Sequence, residues 1–231
     1  MNPFRALSTT ERTTLHRLRE RGATDRSALD DVLNAGLICH FGVVIDGSPV
    51  VLPTGYGWIG DTLYLHGSSA NRSFQSADGQ EICVTITLLD GLVCARSVFN
   101  NSMNYRSAVI FGTARLVTDA GERLAAIRAI TEHLIPGRWD NSRGPSKKEL
   151  AATSVIALSL GEASVKIRSG EAKDEDEDYD LDYWAGVLPI TQTIGAAEPD
   201  PRLREGIEVP AHIAALEQRL LEARAAVPDS D

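Results

Sequence analysis

Cysteine is scarce, with three in 231 residues at positions 39, 83 and 94. The odd count and the lack of any C-x-x-C pair argue against a disulfide framework or a cysteine zinc site, and point to reduced thiols in the core. Long hydrophobic runs are also missing. The N-terminal stretch MNPFRALSTTERTTLHRLRERG is polar and helical in character, and no later segment approaches the ~20 apolar residues a membrane span needs. The expectation is a soluble cytoplasmic protein with no membrane partner. Positive charge is in the minority, 23 Lys and Arg against 32 Asp and Glu for a net charge of -9. That field opposes nucleic-acid binding, so any phosphate must be held locally.

What is present is an ordinary globular composition, 43% hydrophobic, in a chain long enough for one large domain with appendages. A short helix is expected from Ser27 to Asn34, then a strand from Leu37 to Ile45. Asp46-Gly47 and Gly60-Asp61 read as hairpin turns that make the first third an antiparallel meander. Asp90-Gly91 has the same form and divides Glu81 to Leu89 from Leu92 to Ala95. Tyr105 to Val117 is a further strand, and Asp119 with Glu122 resembles a capping box for a helix with Leu124, Ile127, Ile130 and Leu134 on one face. Residues 145–152 suggest a short helix and residues 153–167 a strand or bent strand pair. The acidic run EAKDEDEDYDLD, residues 171–182, reads as a solvated loop, since it lacks the ligand spacing of a calcium site. Glu208 to Ala226 suggests an amphipathic helix with Ile213, Leu216 and Leu220 on one stripe.

Two stretches carry chemistry. Leu63-Tyr64-Leu65-His66-Gly67-Ser68-Ser69-Ala70-Asn71-Arg72 puts hydroxyls, a glycine and an arginine where a strand turns into a helix, which suits a phosphate; Ser and Asn there equally suit a plain helix cap. In Asp90 to Ser107, residues Asn104, Tyr105 and Arg106 are able to grip a planar polar ligand, or to make a polar subunit contact. Lys166 and Arg168 alternate on a strand, either adding positive charge near a ligand or facing solvent. Gly55-x-Gly57-x-x-Gly60 is not a dinucleotide loop, because a strand follows it rather than a helix.

Together with Val51-Leu52-Pro53-Thr54-Gly55-Tyr56, Gly137-Arg138-Trp139-Asp140 and Trp184-Ala185-Gly186-Val187-Leu188-Pro189, these elements resemble the pyridoxamine 5'-phosphate oxidase-like family of flavin-binding split barrels, and within it the branch holding nitroimidazole-resistance proteins. The similarity spans roughly residues 20 to 195. It implies a mainly β fold with flanking helices, an FMN-binding split β-barrel over residues 27–195, an N-terminal helical extension (1–26) and a C-terminal extension with an amphipathic helix (196–231). It also implies a homodimer with flavin, FMN or FAD, at the subunit interface. By the same resemblance Val51, Leu52, Pro53 and Thr54 face the isoalloxazine, and Gly67, Ser68, Ser69, Asn71 and Arg72 surround the first phosphate. Asn104, Tyr105, Arg106 and Ser107 lie on the next flavin-side strand, and Trp184 closes the site.

His66 matches a histidine that nitroimidazole-resistance proteins carry near the flavin. It is either structural or the tentative catalytic residue. His16, His40 and His133 show no metal-ligand spacing and receive no role. Two functions follow: a flavin-dependent oxidoreductase acting on a small aromatic or nitro compound, or a non-catalytic protein that stores or sequesters flavin. Pyridoxamine oxidase activity itself is disfavoured by the missing R-x-H-x-R-type element after Trp184. Haem binding is a third possibility, with His66 as the candidate axial ligand.

Overall fold

Buried and exposed residues alternate along most of the strand segments, so each strand has a core face and an outer face. The computed structural model describes residues 6–216 except residue 8. Within them the elements are β1 (Gly22–Ala23), α1 (Arg26–Ala35), β2 (Cys39–Ile45), β3 (Ser48–Thr54), β4 (Tyr56–Ile59), β5 (Thr62–Ser68), α2 (Arg72–Ala77), β6 (Glu81–Cys94), β7 (Ser102–Thr113), β8 (Arg115–Leu116), α3 (Ala120–Leu134), α4 (Lys147–Ala151), β9 (Thr153–Ser159), β10 (Ala163–Arg168) and β11 (Gly186–Pro189). All pairings are antiparallel. One sheet runs β1-β10-β7-β6-β2-β3 with β11 added to β6, and the other runs β4-β5-β9-β8. This is a split β-barrel. Its core joins Phe41, Tyr56, Leu63, Leu65, Ile86, Ile110, Ile156 and Leu158 from both sheets with Leu29 and Leu33 of α1.

The Asp46-Gly47 turn forms as expected, with positive φ at both residues (50° and 77°). Asp90-Gly91 does not break the chain. β6 runs straight through it with a register irregularity between Leu89 and Gly91, because Arg106 of β7 grips the Asp90 carboxylate with two bonds (3.0 and 2.8 Å), and β11 backbone packs where a Gly91 side chain would lie. α3 starts at the expected cap, with Glu122 N–H donating to Asp119 (2.7 Å). Of its expected stripe, Ile130 is buried with Ala126 and His133, Ile127 and Leu134 pack half-buried against the same cluster, and Leu124 is exposed.

The helical reading of residues 1–26 fails for the described part. A 3-10 turn, Arg19–Arg21, β1 and an isolated Ala6–Asp25 bridge form there before α1. Thr10, Thr13 and Thr14 bond one another's backbone and hydroxyls instead, the competition that disfavours helix in threonine-rich sequence. Arg12 fastens this segment to Glu81 (2.7 Å) and Glu162 (2.6 Å) and lies over Phe111. At the other end, residues 211–216 are helical; Leu220 and the remainder of the expected C-terminal helix lie outside the described residues. No helix among the described residues is long and apolar enough to cross a membrane. All three cysteines are free, Cys39 fully buried and the other two half-buried, and burial pushes the Cys39 thiol up to about 12.

Tyr56 ties the C-terminal end of α1 to β4. Its hydroxyl reaches Leu33 O (2.8 Å) and Gly36 O (2.9 Å) inside the core, and the Gly36 carbonyl also accepts from His133 (2.8 Å). Tyr56→Phe strands buried carbonyl capacity, and a loss of about 1–3 kcal/mol is expected on urea denaturation; an unchanged midpoint would show that water satisfies those groups.

Candidate functional site

The ladder registers define one outer face of the larger sheet. Phe41, Val84, Ile110 and Val165 point to the core, so the residues flanking them point outward. Pairing sets Pro53, His40, Thr85, Val109 and Ser164 in one row across the sheet, and Thr87, Ser107 and Lys166 in the next. This face is unusually polar for the centre of a sheet.

Four of the expected site residues share it: Val51, Pro53, Tyr105 and Ser107. Leu52 and Thr54 do not, since they pair with the buried Phe41 and Cys39 and face inward. Only their backbone is open to a ligand. β3 is the edge of its sheet, so one side of its backbone is unpaired, and Pro49 and Pro53 bring no N–H. The donors left on this strand for a ring's polar edge are those of the non-proline residues that face away from β2.

At the end of β5 the expected strand-to-helix turn forms. α2 begins at Arg72, capped by Asn71, whose side chain accepts from Ser73 N–H (2.9 Å). Ser68 Oγ accepts from Ala70 N–H (3.2 Å). Gly67 is required where it stands, because a Cβ would come within 2.8 Å of the Phe74 ring. Arg72 pairs with Asp46 across the β2–β3 turn, both largely exposed, a contact worth little in water and open to competition from a stronger anion.

His66 stands one residue before this turn. Its Nδ1 is buried and has no hydrogen-bond partner, and burial holds its pKa below the ordinary histidine value. The ring is therefore neutral at pH 7, with an unsatisfied polar atom in a half-buried position. His40, which sequence reasoning passed over, is exposed on the outer face between Pro53 and Thr85; strand parity alone was the signal that finds it.

The remaining expected residues divide. Asn104 is occupied in structure: it receives the Arg168 guanidinium and donates to Gly170 O (3.1 Å). Arg168 is thus buried rather than solvent-facing. Arg106 is held by Asp90. Trp184 is two-thirds exposed, its ring lying over Gly186 at the start of β11.

The acidic run is not wholly a solvated loop. The Asp174 side chain is completely covered and accepts from Arg96 N–H, Ser97 N–H and the Arg96 guanidinium (3.0–3.2 Å). Burial alone would raise its pKa, but these bonds outweigh it and hold the carboxyl low. Nothing in the run's composition distinguishes Asp174 from its acidic neighbours.

Comparison with known proteins agrees with this architecture. No curated protein matches the chain. Among solved structures, the flavocytochrome Anf3 from Azotobacter vinelandii is 40% identical over 89% of this chain and 96% of its own, with a TM-score of 0.85. The FAD and heme binding protein from Mycobacterium smegmatis is 38% identical over 85% of this chain and 97% of its own, with a TM-score of 0.81. A protein from Bacteroides thetaiotaomicron assigned to 5-nitroimidazole antibiotic resistance, 21% identical over 63% of this chain and 86% of its own at a TM-score of 0.53, shares the fold. The sequence pattern of the pyridoxamine 5'-phosphate oxidase family matches residues 25–167, and the chain accordingly belongs to that family.

Proposed function

We propose that this chain is a flavohaemoprotein: a homodimer that binds FAD along β3 and the β5–α2 turn and a haem through His66. The observation that carries the haem reading is the neutral, half-buried His66 imidazole with its unpartnered Nδ1. Iron takes imidazole only in its neutral form, and this donor suits it. The flavin reading rests on the exposed edge of β3, on the hydroxyl and arginine turn at Ser68, Ser69, Asn71 and Arg72, and on the two relatives at 40% and 38% identity, one a flavocytochrome and the other an FAD and heme binding protein. The second of these, an FAD and heme binding protein, favours FAD over FMN. When bound, FAD and haem would supply two-electron and one-electron redox chemistry respectively.

The chain's own residues bind and orient. Backbone donors of β3 meet the polar edge of the ring, Val51 and Pro53 give it an apolar rest, and Ser68, Ser69 and Arg72 hold the phosphate in place of Asp46. The dimer reading is supported by exposed Leu92, Met103 and Leu188, which the β6–β7–β11 ladder sets side by side, exposed apolar surface of the kind that marks an interface. The aromatic or nitro substrate has support from a relative at 21% identity alone, and the flavin-storage alternative predicts no reduction by any donor.

The test is to purify the protein, record its absorption spectrum, and identify the released ligands by chromatography. FAD together with a Soret band is expected; absence of any flavin, with none bound on titration, defeats the reading. Reduction by NADH, NADPH or a deazaflavin donor then separates oxidoreductase from store. Arg72→Ala is expected to weaken FAD about tenfold, the scale of one charge-assisted phosphate contact, read by fluorescence titration; an unchanged Kd would move the phosphate elsewhere.

A further inference from the structure

The chain from Leu7 to Thr24 forms a loop whose ends are joined, Leu7 N–H donating to Thr24 O (2.7 Å), and whose middle is fastened to the barrel where Thr10 Oγ and the Arg12 guanidinium both bond Glu162 (2.6 Å each). Between this loop and strands β1 and β10 lies a cavity of about 280 Å³. None of its lining comes from β3, β5 or α2. At close to the roughly 300 Å³ where ligand pockets begin, it suits a small molecule and not a dinucleotide or a haem. Its lining is part apolar, with Leu7, Leu15 and Ala23, and part polar, with the Ser164 hydroxyl, the His16 imidazole and the Arg19 guanidinium. Gly22 leaves room for the Leu15 wall, since a Cβ there would come within 2.8 Å of Leu15 Cδ1.

Charge singles out Arg19. Acids outnumber bases in this chain by 32 to 23, and the described arginines bond an oxygen of another residue in every case but Arg17, Arg19, Arg21 and Arg204. The first three of these cations fall within five residues beside the cavity, and Arg19 is the one that lines it; Glu20, the acid among them, does not. Leu18, in the left-handed region at φ 55° and ψ 52°, turns the chain between His16 and Arg19, a conformation a leucine keeps only where its surroundings impose it. We propose that this cavity binds a small organic monoanion, a carboxylate carried on a short apolar or aromatic body. Arg19 grips the carboxylate with its guanidinium fork, His16 and Ser164 add donors, and Leu7, Leu15 and Ala23 take the body. The inference stands independently of the flavin reading.

The experiment titrates the wild-type full chain with benzoate as the probe and follows the backbone amide resonances of Gly22, Ala23 and Val165. Saturable shifts at these amides are expected. Binding should be about tenfold weaker for benzamide, the neutral analogue of similar size, and about tenfold weaker for benzoate in Arg19→Gln, the scale of one charge-assisted contact. Ser164→Leu, which fills the cavity and leaves its charge, is expected to abolish the shifts, and Arg204→Gln, which removes an equally unengaged cation outside the cavity, to leave them unchanged. Absence of a saturable shift in the wild-type protein overturns the site. Equal binding of benzamide, or wild-type affinity in Arg19→Gln, overturns the grip of Arg19 on the anion. Shifts that persist in Ser164→Leu, or vanish in Arg204→Gln, overturn the location, and inorganic phosphate that binds as tightly as benzoate overturns the need for an organic body.

Discussion

His66→Ala is expected to remove the haem Soret band while leaving FAD bound in its wild-type amount. The side chain stands at the end of a sheet strand with a buried, unpartnered ring nitrogen and a pKa lowered by burial; His212, whose Nε2 is also buried and unpartnered, lies instead in the helical turn at 211–216. His133, more deeply buried, is bonded to Gly36 and packed between Tyr56 and Trp58. Loss of an iron ligand costs more than the roughly 10–100-fold seen for ligand-supporting residues, so haem would not survive purification. The pH dependence has a definite sign. Burial lowers the folded-state pKa of His66 below the unfolded value of about 6.5, so the unfolded chain takes up the proton first. The neutral ring's contribution is complete above that value and declines as pH falls through it. Haem affinity should accordingly be level from neutral to alkaline pH and drop in acid. A His66→Ala protein with an unaltered Soret band would remove the histidine from the site altogether.

The second large effect is on stability. Gly57 of β4 lies so close to α3 that a Cβ there would be 2.6 Å from Ala129 C and Ile130 N and 2.7 Å from Ile130 Cα. All three are backbone atoms, so no rotamer change relieves the clash and the whole helix must shift. Gly57→Ala should cost about 3 kcal/mol, the upper end of ordinary overpacking, and lower Tm by about 6–12 °C for a chain of this size. Gly144→Ala, where a Cβ meets nothing within 4 Å, is the control. A Gly57→Ala protein melting with the control would mean that α3 rides loosely on β4.

That contact also explains which parts of the fold could be read ahead. Local signals survived: the Asp46-Gly47 hairpin, the Asn71 cap and α2 through Ala77, the Asp119 cap of α3, and a short helix over residues 147–151. Each depends on neighbours a few residues away. The expected face of α3 packs through Ile127, Ile130 and Leu134, but that Ala126 and His133 are buried and Leu124 is exposed depends on where a glycine lets β4 approach, and the apolar pattern carries no record of Gly57. Asp90-Gly91 misled for the same reason: its partners are Arg106 and β11, and both arrive from elsewhere in the chain. At the site, the Ser68 to Arg72 turn was legible because a strand-to-helix turn is local. The inward turn of Leu52 and Thr54, the structural use of Asn104 and Arg106, and the burial of Asp174 depend on register and on contacts distant in sequence.

The pairings that close the two sheets have a consequence in time. β5 takes its second partner from β9, and β1 pairs Gly22 with Lys166 of β10, so edges of strands made early stay unmatched until nearly three-quarters of the chain exists. Contacts of such long range make folding slow and leave strand edges open meanwhile. During synthesis, the β2–β3 and β4–β5 hairpins can form as they emerge, whereas the barrel itself must wait for residue 168 to clear the ribosome. The proline pair on β3 then acts earliest of all, keeping that edge from recruiting a neighbouring nascent chain before its own sheet is complete.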